Sequence, residues 1–233
     1  TDQIMDANVA TSTGYRSMYI NAGKISNKGV ELQVSGDIFK NPKSFSWTAT
    51  LNWAKDKSRI DELYTDPVTG QSLDAYQIAS SWSVKNYAMV GKSWGTLVGN
   101  GFVYNEDGSI QVEDGMPVYE AGKEIGDVTP KWLAGFSNEF SYKNLSFGFL
   151  LDFRLGGDIY SVSQAFGMQT GIYAPTAEGN IREEGVIAGK NYMTDKVFKT
   201  ADGKVNDVAV NPEDERFRDL VGKTCILPIM NRE

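Results

Sequence analysis

The residues able to do chemistry are few. Asp152 and Arg154 stand two apart in the stretch YKNLSFGFLLDFRLGGDIY (142–160). Residues two apart on an extended chain point the same way, so this pair presents both charges to a passing polar solute, or merely keeps a wall wet. Glu31 and Asn52 hold matching positions in two earlier alternating segments and carry the same two readings. NEDGS (105–109) and ADGKVND (201–207) set acidic oxygens around a glycine, as Ca²⁺ loops do. Both lack the full ligand spacing and the closing bidentate Glu, so both read as turns, and no cofactor or metal is expected. Gly156-Gly157 is not a phosphate loop, because no helix pattern follows it. It reads as a backbone turn at a strand end. Tyr173, Tyr192 and Phe198 offer rings that stack on sugars, or that pack their own segment.

Absences narrow the classes further. The chain has no His, which removes imidazole-based triads, metal sites and pH switches. Its single Cys225 has neither an imidazole partner nor a second thiol for an internal disulfide. No enzyme is expected. A net charge of −7 without a basic stripe argues against nucleic acid.

The elements that position these residues are two-faced strands. In KGVELQVSGDI, Val30, Leu32, Val34 and Ile38 alternate with Glu31, Gln33, Ser35 and Asp37. FSWTATLNW sets Phe45, Trp47, Ala49, Leu51 and Trp53 against Ser46, Thr48, Thr50 and Asn52. The turn between them makes an antiparallel hairpin. A second hairpin runs from Pro130 to Gly157, with Trp132, Ala134, Phe136, Phe140 and Tyr142 on one face of its first strand. Residues 1–23 and 55–81 read as loops, and after about residue 160 the alternation fades into polar, turn-rich sequence.

Two architectures accommodate this pattern. One is a soluble, secreted β-sandwich, such as a carbohydrate-binding module. The other is a membrane β-barrel, whose strands need only ~9–11 residues each. No apolar run approaches the ~20 residues of a membrane-spanning helix. Three features favour the barrel: strongly aromatic apolar faces with Trp near strand ends, charges in mid-strand on the opposite faces, and loops of lopsided length.

Several stretches then resemble one family. NAGKISNKGVEL (21–32), FSWTATLNWAKDKSRIDEL (45–63) and IGDVTPKWLAGFSNEFSYKNLSFGFLLDFRLGGDIY (125–160) are similar to the C-terminal barrel of SusC-like TonB-dependent transporters. VGKSWGTLVGNGFVYNEDGSI (90–110) and TAEGNIREEGVIAGK (176–190) resemble further segments of it. The resemblance implies an all-β, antiparallel transmembrane barrel of about 22 strands with long extracellular loops. Residues 24–160 are the expected strand-rich wall and 161–233 mostly a long extracellular loop. Trp47, Trp53, Phe147, Phe149 and Phe153 then face lipid, while Glu31, Asn52, Asp152 and Arg154 face the lumen. Leu150, apolar on the lumen side, stays unexplained. The family imports large nutrients across the bacterial outer membrane, so the expected cargo is an oligosaccharide, with a peptide next. Implied partners are a SusD-like lipoprotein lid and the TonB complex acting through an N-terminal plug. The chain starts at Thr1 with no plug-like sequence, and its tail GKTCILPIMNRE does not resemble the family's closing strand. A fragment is therefore expected.

Overall fold

The computed structural model describes residues 2–8, 12, 14–41, 44–66 and 69–223; Cys225 and the tail after Lys223 lie outside them. Among these described residues, twelve strands and three α-helices follow in chain order. The strands are β1 (Asp2–Asn8), β2 (Ser17–Phe39), β3 (Phe45–Glu62), β4 (Ala75–Ser81), β5 (Val84–Met89), β6 (Thr96–Phe102), β7 (Ile110–Glu113), β8 (Met116–Pro117), β9 (Tyr119–Asp127), β10 (Trp132–Tyr142), β11 (Leu145–Leu155) and β12 (Phe198–Lys199). The helices are α1 (Val162–Gln169), α2 (Ile181–Glu184) and α3 (Glu215–Lys223). The chain divides into two compact units, one of residues 1–78, 87–96 and 127–158, the other of residues 79–86, 97–126 and 159–233.

The first unit is organised by an antiparallel sheet in the order β1-β2-β3-β10-β11. Residues 63–131 leave and re-enter at one end of this sheet, between neighbours β3 and β10. The opposite end closes with short connections at 40–44 and at Lys143-Asn144. Lys143 takes a φ of 54° to make that two-residue turn, and its N–H donates to the Ser44 carbonyl at 3.3 Å, tying the two turns together.

Two loop expectations are overturned. β2 begins at Ser17, because β1 supplies backbone partners from Ser17 to Lys24. β3 runs through the charged stretch 55–62, where β2 residues 24–30 complete its ladder. Charged side chains read as loop in the sequence, yet they suit a strand whose edges reach water. A register shift between Asp37 and Phe39 pairs Phe39 with Trp47. This bulge turns Phe39 onto the aromatic face, where the strict alternation had placed Ile38.

A sandwich would bury every second residue of these strands. All eleven residues of β11 are exposed, so the sandwich alternative fails on this strand. Burial in this unit sits higher up, where Ile60, Leu63 and Ala88 cluster.

The second unit builds its own core. Ile181, Val186, Tyr192, Val210, Leu220 and Val221 form one cluster; Phe102, Ile110, Val112, Ala188 and Phe198 form another. Helix α1 is capped by Ser161, whose Oγ accepts from the Gln164 N–H at 3.2 Å, and the β7–β8 turn uses Asp114 and Gly115 at positive φ.

Ile60 is fully buried, so Ile60→Ala in the full-length protein should cost about 2–5 kcal/mol and Ile60→Val about 0.5–1.5 kcal/mol. Urea-induced unfolding in detergent checks both, and equal, negligible losses would contradict this core.

Candidate functional site

The register of the four longest-paired strands determines which side chains meet. On one face, Gln33, Asn52, Gly135 and Asp152 form a rung across β2, β3, β10 and β11. The next rung holds Glu31, Ala54, Leu133 and Arg154. Together they line an open recess of about 620 Å³ that includes Leu150. Glu31, Asn52, Asp152 and Arg154, singled out separately in the sequence, thus come together in one place. Gln33 shares their alternation and was passed over; its pairing with Asn52 is visible only in the register. Gly135 forms part of the floor, where an added Cβ would meet Asp152 Oδ1 at 3.4 Å.

Arg154 is not free to swing. Its Nη2 donates to the Val128 carbonyl at 2.8 Å. The loop that receives it is held by Asp127, whose Oδ1 accepts from the Thr129 N–H at 2.7 Å and whose Oδ2 accepts from Ser93. Asp158 Oδ2 in turn accepts from the Asp127 N–H at 2.7 Å. Gly156 and Gly157 both take positive φ, 76° and 87°, at the end of β11. A Cβ on Gly157 would come within 2.8 Å of both Arg154 Nη2 and the Val128 carbonyl, so this glycine keeps the Arg154 tether open. The recess therefore offers carboxylates, carboxamides and one anchored guanidinium, a set suited to hydrogen-bonding hydroxyls or amides and with no nucleophile and base in contact.

The other face is aromatic. Phe39, Trp47, Phe140 and Phe147 form a continuous row across the four strands, with Trp47 and Phe140 stacked at 5.5 Å. Phe45 and Phe149 flank it at about 6 Å from Phe140. Two to three rungs away, Trp53 and Phe153 lie on the same face, each paired with Ala134. From Phe45 to Trp53 the apolar band spans about 27 Å along the strand, close to the ~25 Å height of a lipid-facing barrel band. Asn138 lies within this face, only 2% exposed. Its Oδ1 accepts from the Trp47 indole N–H at 3.1 Å, which supplies the partner that an indole needs away from water. Sequence reasoning missed it, although Asn138 is the one polar break in the alternation of Trp132, Ala134, Phe136, Phe140 and Tyr142.

The aromatic candidates of the second unit are corrected. Phe198 is 1% exposed and packs in the core. Tyr192 is buried, with its hydroxyl donating to the Val221 carbonyl at 3.3 Å. Neither ring can stack on a solute, because the segment uses both for its own packing. Tyr173 keeps 40% exposure and lies against Gly167, where no Cβ fits. Arg182 stitches this region, donating to the Thr176 carbonyl at 2.8 Å and the Gly171 carbonyl at 2.6 Å. In the NEDGS turn, Asp107 accepts from Lys199 Nζ at 2.6 Å and from the Ser109 N–H and hydroxyl. Lys199 and then Ser109 hold its carboxyl well below the usual carboxylate range. These contacts engage both oxygens of the Asp107 carboxylate.

No family model matches the chain. The chain is similar to TonB-dependent receptor P26 of Formosa agariphila, 25% identical over 69% of this chain and 18% of the relative. It is also similar in structure to the RagAB peptide transporter, with a TM-score of 0.55 and 18% identity over 92% of this chain and 23% of that one. The chain thus spans about a fifth of the length of these relatives. A 26-residue stretch, 11% of this chain, is 73% identical to valine–tRNA ligase of Bacillus subtilis. It covers 3% of that enzyme, far short of a catalytic domain.

Two predictions follow from the second unit. Phe198→Ala should cost about 3–5 kcal/mol and open the segment to limited proteolysis, while Tyr173→Ala should stay within about 0.5 kcal/mol. The lowered carboxyl of Asp107 stabilises its turn fully above the unfolded value of ~3.9 and loses that effect as pH falls below it. The protection of the amides at 105–109, measured relative to their intrinsic exchange rates at each pH, should therefore fall in acid, and Asp107→Asn should flatten that response.

The antiparallel wall with its aromatic band, the sequence likeness to TonB-dependent receptors and the fold shared with RagAB agree: the chain is similar to a section of the outer-membrane β-barrel of SusC-like TonB-dependent receptors.

Proposed function

We propose that this section forms part of the wall of a TonB-dependent importer, with the polar recess lining the passage and the aromatic face against lipid. The observation that carries the reading is the sheet itself: one register separates an aromatic face from a polar face, and both are open along β11. A wall between hydrocarbon and a water-filled lumen needs this arrangement. Trp47, Trp53, Phe147, Phe149 and Phe153 then contact lipid. Glu31, Asn52, Asp152 and Arg154 contact solute or the plug, and contact with the plug accounts for Leu150. The short connections at 40–44 and 143–144 face the periplasm, and the long segments 63–131 and 156–223 face the cell exterior. The chain does no covalent chemistry. Energy comes from the TonB complex through a plug, and a SusD-like lipoprotein caps the outer mouth.

The cargo is a large polar nutrient. An oligosaccharide suits the carboxylate and carboxamide groups of the recess, since these bind vicinal hydroxyls. A peptide is the second reading, supported by the fold shared with a transporter named for peptides.

In the full-length barrel, Phe149→Arg should cost about 2–4 kcal/mol while Thr50→Arg, at about the same height on the other face, should cost under about 1 kcal/mol. Urea unfolding in lipid vesicles reads both. Equal costs, or a full-length protein that is soluble and monomeric without detergent, would sink the wall reading. Asn52→Ala with Asp152→Ala should weaken uptake of the true cargo, and parallel assays with oligosaccharide and peptide libraries decide which class responds.

A further inference from the structure

Beyond Trp53 the aromatic face changes chemistry. Lys55, Lys57 and Arg59 follow at alternate positions of β3, all exposed, and Lys28 of β2 is the direct cross-strand partner of Lys57. Like charges opposite one another in an antiparallel pair repel and destabilise it. Among the described residues no carboxylate pairs with Lys28, Lys55 or Lys57. The adjacent carboxylates do not help, because Glu31 pairs with Ala54 and Asp56 with Gly29, on the opposite face of the sheet. Arg59 has only Asp61 Oδ1 at 3.9 Å, an exposed contact of little strength. Three of these four cations thus have no internal counterion, and the fourth has only that weak contact.

Their height matters. Lys57 stands about 14 Å along the strand from Trp53, which on a strand tilted ~45° is about 10 Å above the edge of the hydrocarbon. Below it, Leu32 and Val30 remain exposed and apolar. The patch therefore sits where lipid headgroups lie, with acyl-chain surface directly beneath it. This end of the sheet is the one with the long connections, so the leaflet is the outer one. We propose that Lys28, Lys55, Lys57 and Arg59 bind the phosphate groups of the phosphorylated glycolipid that forms the outer leaflet of the outer membrane. Phosphate offsets the Lys28–Lys57 repulsion, and the apolar residues below it favour a lipid over a free anion. The inference rests on the reading that the aromatic face meets lipid.

The test uses the full-length transporter in detergent. Wild type and the K28Q/K55Q/K57Q variant are titrated with bisphosphorylated lipid A, dephosphorylated lipid A and inorganic phosphate, and bound species are counted by native mass spectrometry. Lipid A should bind the wild type and weaken roughly a hundredfold in the variant, while the other two probes bind neither protein measurably. Lys28→Gln alone, in vesicles lacking the glycolipid, should not lower the melting temperature, since it removes a repulsion. Unchanged lipid A binding in the variant, or equal binding of dephosphorylated lipid, overturns the site; binding of inorganic phosphate alone would reduce it to a non-lipid anion patch and also overturns it. Tryptophan quenching by brominated acyl chains separates the two readings. Quenching with unchanged lipid A binding defeats only this site, and no quenching in wild type defeats the lipid-facing wall and the site with it.

Discussion

Everything in the wall depends on the backbone register of β2, β3, β10 and β11. Side chains alternate with a period of two, so a slip of one residue in any of these pairings would move every side chain to the other face. The ladder couples four strands, and the Phe39–Trp47–Phe140–Phe147 row penalises such a slip at each junction. A shifted β11 would set Leu150 and Asp152 among these rings and put Phe149 in the polar recess. One hydrogen-bonding pattern therefore specifies both the aromatic band and the recess, and the two cannot vary independently.

The exceptions to the alternation carry information. The bulge before Phe39 adds a ring to the band at the end of the strand, and Asn138 gives the Trp47 indole a partner inside an otherwise apolar face. Gly157 leaves the space in which Arg154 reaches the Val128 carbonyl. In each case a residue that breaks the pattern satisfies a neighbour that follows it. Arg154 consequently does two things: it lends positive charge to the recess, and it holds the loop at 127–129 to the top of β11.

The second unit shows a different balance. Segments that are polar and turn-rich still fold around buried residues such as Phe198, Ile181 and Val210, with Arg182 stitching the carbonyls of Gly171 and Thr176 together. Side chains satisfy several of its backbone groups: Asn191, for example, accepts from the Ile187 N–H at 2.7 Å and donates to the Gly185 carbonyl at 2.9 Å. Such contacts have no periodicity, which is why its aromatic residues looked available in the sequence and are largely consumed by packing.

By itself, the sequence determined the two-faced hairpins, the absence of imidazole chemistry and the turn positions, because alternation, composition and breaker residues act locally. It also carried the family resemblance, in motifs such as NKGVEL and PKW…YKN…GGD. Tertiary structure alone decided that β3 pairs with β10 across an excursion of some seventy residues. That pairing brings Gln33, Asn52 and Asp152 into one rung and stacks Trp47 on Phe140. No local pattern encodes it, because cross-strand neighbours are chosen by the backbone ladder and not by distance along the chain. The same reason separates Tyr173 from Tyr192 and Phe198: the three look alike in sequence, and only the surrounding core decides which rings are buried.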